Sequence, residues 1–174
     1  MDVTAVTTPV GAWSRTRPWI GLAARVVLAG VFLVAGGSKV GDLAASGRAV
    51  HAYRLMPYDV SATVGAVLPF VELALGLLLL IGLATRLAAA IGAALMAIFI
   101  AGIASVWARG LSIDCGCFGT GGELAPGQSP NYGWEIARDV GLLALAIFLV
   151  AYPRTPLSVD GYVLGDYSLQ ESDA

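Results

Sequence analysis

Long apolar runs separated by short polar stretches dominate the pattern of this chain. The runs lie near residues 19–40, 61–83, 87–107 and 133–152. Each reaches the roughly 20 residues that an α-helix needs to cross a bilayer at a rise of about 1.5 Å per residue. We therefore predict an all-α, polytopic membrane protein with four membrane-spanning helices in a bundle.

This membrane domain is expected to cover residues 19–152. A polar N-terminal tail at 1–18 precedes it, and a polar C-terminal tail at 153–174 follows it. Residues 42–58 mix apolar and charged positions and end near Pro57, which favours a short amphipathic helix lying at the membrane interface after the first span. The connection at 108–131 contains six glycines and two prolines, so it cannot be helical throughout.

The composition supports a membrane location. Hydrophobic residues make up 57% of the 174 residues and charged residues only 13%, whereas a soluble domain carries about 25% charged residues. So few charges could not cover the surface of a soluble protein of this size, but they suffice where lipid covers it. The sequence has no basic stripe interleaved with aromatic residues, which excludes nucleic-acid binding as a predicted function.

Both cysteines of the chain, Cys115 and Cys117, lie in the glycine-rich connection, with Gly116 between them and Phe118-Gly119 after them. A disulfide that closes so small a ring is strained and easily reduced, which favours exchange with a partner thiol. Gly116 would relieve the backbone conflict. Two alternatives stay open: the thiols are inert apolar groups, or they bind a metal, copper(I) being the ion that accepts two thiolates. We assign no metal site.

Charged residues inside the predicted spans form a second candidate site. Glu72 lies near mid-membrane, and an intramembrane carboxylate indicates a functional site and normally has a charged partner. The alternating helix directions make Lys39 and Arg138 its candidate partners, and a buried ion pair that fixes the register of the bundle is the structural alternative. Arg138 and Asp139 are adjacent and are expected to point to different sides of the helix. Arg25 is expected to extend to the interface.

Four motifs in this order resemble the methylamine-utilisation protein MauE family, within the wider DoxX-like group of four-helix membrane proteins. They are Gly-Gly-Ser-Lys-Val at 36–40, Ala-Tyr-Arg-Leu-Met-Pro at 52–57, Leu-Pro-Phe-Val-Glu-Leu-Ala-Leu-Gly at 68–76 and Asp-Cys-Gly-Cys-Phe-Gly at 114–119. The resemblance covers about residues 20–150. It implies a bacterial cytoplasmic (inner) membrane protein that acts beside a thioredoxin-fold partner, in a family linked to maturation of the disulfide-rich small subunit of methylamine dehydrogenase.

The side of the membrane that each connection faces is not decided by charge. Eight lysine and arginine residues lie at or beyond the ends of the spans, four at each end of the bundle: Arg15, Arg17, Arg86 and Arg154 at one, and Lys39, Arg48, Arg54 and Arg109 at the other. Two arginines directly ahead of the first span favour a cytoplasmic N-terminus. We expect both termini to be cytoplasmic and the cysteine connection to lie outside.

Three function hypotheses follow. The first is a membrane thiol–disulfide redox or maturation protein, a component of an oxidoreductase system. The sequence specifies no cofactor, and a quinone would have to act next to Cys115 and Cys117, because a single cysteine pair allows no internal relay. The second is a non-catalytic membrane scaffold or assembly factor with structural cysteines. The third is a small-solute carrier built around Glu72, although transporters commonly contain internal repeats and none is evident here. All three hypotheses place the protein in a lipid bilayer, and the sequence does not decide its oligomeric state.

Overall fold

A computed structural model describes residues 12–114, 121–124 and 129–160 of the chain. Within these ranges it contains five helices and a two-stranded antiparallel sheet. The elements are α1 (Ala12–Lys39), α2 (Leu43–Ala52), α3 (Tyr58–Ile81), α4 (Thr85–Ala108), β1 (Ile113–Asp114), β2 (Gly122–Glu123) and α5 (Tyr132–Ala151).

Three helices in the described part of the chain are long and apolar enough to cross a membrane. They are Thr16–Lys39 within α1, all of α3 and all of α4. Helix α5 has 20 residues, but its first half carries three charged residues, Glu135, Arg138 and Asp139. Its composition alone therefore does not mark it as a span. The architecture is that of a helical membrane protein, and the predicted number of four spans stays a prediction.

The four long helices form a ring in which α1 packs against α3 and α5, and α4 packs against α5 and α3. Helices α3 and α5 consequently lie diagonally across the bundle. The centre is filled by fully buried apolar side chains: Leu28, Phe32, Leu79, Ala89 and Leu149. Because lipid is as apolar as this core, close packing rather than the hydrophobic effect holds such helices together.

Helix α2 lies directly on α3 because both present glycine at the contact. A Cβ atom on Gly65 would lie 2.5 Å from the Cα atom of Gly47, a distance that no side chain can occupy. Asp42 starts α2 by accepting a hydrogen bond from the Ala45 backbone N–H at 2.8 Å. The short helix predicted within 42–58 is present, and its position relative to the membrane interface stays a prediction.

Helix α1 begins at Ala12, inside the predicted N-terminal tail rather than at residue 19. The physical reason is that polar residues near the start of a membrane helix mark where the chain leaves lipid, not where hydrogen bonding ends. Arg17 illustrates this, since its guanidinium carbon lies 4.6 Å from the ring centroid of Tyr152, a cation–π contact between α1 and the end of α5.

Residues 153–160, the first part of the predicted C-terminal tail, pack against the end of the bundle where α1 begins. Arg25 is only 2% exposed and donates hydrogen bonds of 2.9 Å to the Thr155 hydroxyl and to the Leu157 carbonyl. The Arg25 side chain does not reach solvent, because the C-terminal segment supplies acceptors inside the protein, and its position relative to the membrane interface stays a prediction. Gly82, at φ +75°, permits this contact, since a side chain there would collide with Arg25 and Ser158.

Asp160 caps the N-terminus of α4 from this same segment. Its two carboxylate oxygens accept 2.8 Å hydrogen bonds from the backbone N–H groups of Ala84 and Thr85. Partial burial by itself raises the pKa of Asp160, but the backbone N–H groups of Thr85 and Ala84, with the nearby charge of Arg25, outweigh it and hold that pKa below its usual range. The carboxylate thus replaces the N-cap side chain that Ala84 lacks.

Replacing Asp160 should reveal this cap as a pH-dependent contribution to stability. We expect Asp160→Ala to lower the free energy of unfolding at pH 7 by about 1 kcal/mol, and Asp160→Asn to lose less because asparagine also caps helices. Because the folded-state pKa is depressed, the carboxylate's contribution is complete above its unfolded value of about 3.9 and is lost as the pH falls through the folded value. Denaturant titrations in micelles between pH 7 and pH 3 measure this difference. Identical pH dependence in wild type and Asp160→Asn would contradict it.

Candidate functional site

The buried carboxylate of Glu72 binds the ammonium group of Lys39. The Lys39 Nζ atom lies 2.8 Å from Oε1 and 3.0 Å from Oε2, with Glu72 1% and Lys39 11% exposed. Glu72 is 14 residues beyond the start of α3, which places it about 21 Å along the helix axis. A carboxylate so deep in a membrane helix requires a charged partner, and Lys39 supplies it.

Close contact between α1 and α3 makes this ion pair reachable. A Cβ atom on Gly36 would lie 2.6 Å from the Pro69 carbonyl oxygen, so the two helix backbones touch one turn before Lys39. Lys39 is the last residue of α1, and its four-carbon side chain spans the remaining distance to Glu72. Of the two partners predicted for Glu72, Lys39 is therefore the one in contact.

Arg138, the other predicted partner, binds its neighbour Asp139 instead. Its Nε and NH2 atoms lie 2.9 and 2.8 Å from Oδ1 of Asp139. The expectation that these adjacent residues do not meet is wrong, because the long arginine side chain folds back along α5 to reach the aspartate. Asp139 itself is 2% exposed, so α5 also carries a buried, charge-paired carboxylate.

The two carboxylates line one small cavity at the centre of the bundle, with a volume of about 10 Å³. Sequence reasoning missed Asp139 as a site residue, although a second acid within an apolar run was a signal available from the sequence. The Oδ2 atom of Asp139 is buried and has no hydrogen-bond partner among the described residues. The remaining wall is apolar and comes from α1, α4 and α5: Val31, Phe32, Ala35, Met96, Phe99 and Leu142.

A β-hairpin forms the opposite end of the bundle from the C-terminal segment. Ile113 pairs with Glu123 and Asp114 with Gly122. The hydroxyl of Tyr132, at the start of α5, donates to the Leu111 carbonyl at 2.6 Å and accepts from the Ile113 N–H at 2.9 Å. This end, which we call the hairpin end, is thereby joined to the bundle at the start of β1.

An apolar cluster beneath the hairpin anchors it further. Its buried members come from α2, α4, β1 and α5: Ala52, Ile103, Val106, Ile113 and Tyr132. Arg109, just after α4, donates a 2.6 Å hydrogen bond to the Tyr53 carbonyl and so joins α4 to the end of α2. The predicted redox and loop-shaping residues, Cys115, Gly116, Cys117, Phe118 and Gly119, lie outside the described residues, in the seven-residue connection between Asp114 and Gly122.

Apolar helices that bury charge-paired carboxylates and carry a hairpin at one end define a polytopic helical membrane protein. The chain belongs to the family of the methylamine utilisation protein MauE, whose family model matches residues 17–152. Family membership implies a role in methylamine utilisation.

A relative supports this assignment. The methylamine utilization protein MauE of Paracoccus denitrificans is 36% identical over 132 residues, which cover 75% of this chain and 68% of the relative. No solved structure matches the chain.

Lys39 and Glu72 form a buried ion pair, and removing one member should destabilise the protein more than removing the other. We expect Lys39→Met to lower the free energy of unfolding by about 3 kcal/mol, since it leaves Glu72 buried without its partner. Glu72→Met should cost less, because Lys39 ends its helix and can extend to the interface. The double variant should recover to within about 1 kcal/mol of wild type. Denaturant titration in micelles tests this order, and equal, additive losses would contradict it.

Proposed function

We propose that the protein is a membrane component of thiol–disulfide exchange, in which Cys115 and Cys117 form a redox pair that reacts with a thioredoxin-fold partner. Membership in the MauE family implies a role in methylamine utilisation, and we propose that the exchange serves that role. By the resemblance, the process served is maturation of the disulfide-rich subunit of methylamine dehydrogenase. The role is that of a maturation protein rather than of an enzyme acting on methylamine.

The anchored hairpin is the observation that carries this proposal. The Cα atoms of Asp114 and Gly122 are paired across the two strands, so the ends of the Cys-Gly-Cys connection are held about 5 Å apart. Tyr132 and the buried Ile113 fix those strands to the bundle. A reactive pair needs a firm base, and the described strands on either side of the connection supply one.

The exchange balances between the two proteins. A partner thiolate attacks one sulfur of the Cys115–Cys117 disulfide, the S–S bond breaks, and a mixed disulfide forms as the other cysteine leaves as a thiolate. The partner's second thiolate then attacks the mixed disulfide. The partner's two thiols are oxidised to a disulfide, and Cys115 and Cys117 take up the two electrons and two protons. The reduction potentials of the two pairs set the net direction.

The placement in the membrane supports the same proposal. Helix α5 is proposed as a fourth span: its Arg138–Asp139 contact pairs two of its three charges, and exposed Trp134 and Tyr152 flank it. These aromatic residues are about 27 Å apart along a helix axis, close to the roughly 30 Å of the hydrocarbon core that aromatic belts border. Four spans would put both termini on one side of the membrane. Arg15 and Arg17 ahead of the first span favour the cytoplasmic side for them, so we propose that the hairpin end lies outside the bacterial inner membrane, with α2 at the outer interface.

A single-cysteine variant should trap the partner. In Cys117→Ser, or its counterpart Cys115→Ser, the remaining thiolate can attack the disulfide of an oxidised partner, which is the reverse of the exchange above. We expect the mixed disulfide so formed to accumulate, because the second thiol that would complete the exchange is missing. The readout is a reductant-sensitive band of higher mass on a non-reducing gel, in which mass spectrometry finds a thioredoxin-fold protein.

The matched control moves the thiol out of this connection, to a position three residues before Cys115. It carries Cys115→Ser, Cys117→Ser and Ser112→Cys, the last at an exposed position just before β1. The control should capture little or nothing. If neither single-cysteine variant captures more partner than this control does, the proposed exchange is wrong.

A further inference from the structure

The central cavity combines a water-sized volume with an unsatisfied acceptor. Its volume of about 10 Å³ is close to the smallest that holds one water molecule. Asp139 Oδ2 is buried and has no partner among the described residues, and leaving a buried acceptor unsatisfied costs about 1–3 kcal/mol. Protonation of this oxygen would not remove the problem, since a buried hydroxyl also needs a partner.

The cavity offers one other polar wall, the carboxylate of Glu72. Each Glu72 oxygen accepts from Lys39, but a carboxylate oxygen can accept more than one hydrogen bond. A water molecule has two hydrogens to donate and is therefore matched to two acceptors that face each other. The remaining lining residues are apolar, so their side chains offer the water no third hydrogen-bond partner.

Charge decides against a cation in this position. Of the residues that line the cavity, only Glu72 and Asp139 are charged, and each is already paired with a cation, Glu72 with Lys39 and Asp139 with Arg138. A bare cation would add an uncompensated charge to a low-dielectric site, which is costly. The occupant that fits both the volume and the charge is neutral.

We propose that one internal water molecule bridges the carboxylates of Glu72 and Asp139 and joins the two ion pairs into a single hydrogen-bonded network. Glu72 is on α3 and Asp139 on α5, helices that lie diagonally across the bundle. The water is thus the polar contact between them. This site is independent of the cysteines and does not rest on the proposed exchange.

Filling the cavity tests the water directly. Ala35 lines the cavity and is buried, so Ala35→Val should displace the water, whereas Ala23→Val on the exposed face of the same helix should not. Infrared difference spectra between H₂¹⁶O and H₂¹⁸O report trapped water by its O–H stretch. We expect a band in wild type and Ala23→Val that is lost in Ala35→Val. Identical spectra from all three proteins would overturn the proposal.

A double-mutant cycle keeps the test decisive if Ala35→Val folds poorly. Each of Glu72→Gln and Asp139→Asn changes the unfolding equilibrium constant by some factor. We expect the change in the double variant to differ from the product of these two factors by about threefold or more, as for residues that share a partner. In the Ala35→Val background, where it folds, this coupling should fall to within about twofold of multiplicative. Multiplicative effects in the wild-type background, or coupling that Ala35→Val leaves unchanged, would show that no water joins the two carboxylates.

Discussion

The ion pair between Lys39 and Glu72 is the interaction on which the arrangement of the bundle depends. A carboxylate about 21 Å along a membrane helix is tolerated only with a compensating charge, and this one is 1% exposed. Lys39 provides that charge from the last residue of α1, which fixes how far α1 extends along α3. One lysine side chain is short, so α1 and α3 must approach closely for Lys39 to reach Glu72. The two backbones touch where Gly36 meets Pro69, and a larger residue than glycine would not fit there.

The two ends of the bundle differ in how their polar groups are used. At the C-terminal end, Arg25 holds the segment 155–157 and Asp160 caps α4, so the polar groups there bind one another. At the hairpin end, Tyr132 and Ile113 anchor the two strands. The connection between those strands contains both cysteines. A closed end with internal partners and an end that supports a short connection fit the proposed role of a membrane platform for exchange at one face.

The sequence predicted those features that depend on local pattern or on the scarcity of charge in lipid. The apolar runs indicated the long helices, and Lys39 was one of the two partners predicted for Glu72. The mixed pattern at 42–58 indicated the short helix, although that helix ends at Ala52 rather than near Pro57. What it could not predict depends on tertiary contact. The burial of Arg25 depends on acceptors that are 130 and 132 residues away. The start of α1 at Ala12 could not be predicted either, because polarity marks the edge of lipid rather than the end of a helix. The importance of Asp139 appears only when its helix is set diagonally to Glu72.

The redox state and accessibility of the cysteines in intact cells test the central claim most directly. Cells would be exposed to a membrane-impermeant maleimide before and after an impermeant reductant, with a Val159→Cys variant lacking the native cysteines as the reporter for the opposite end. The account predicts that Cys115 and Cys117 are labelled only after reduction and without permeabilisation, while the Val159→Cys reporter stays unlabelled. Labelling of the native cysteines without reductant would contradict the proposed disulfide. Labelling only after the membrane is permeabilised would contradict the proposed orientation.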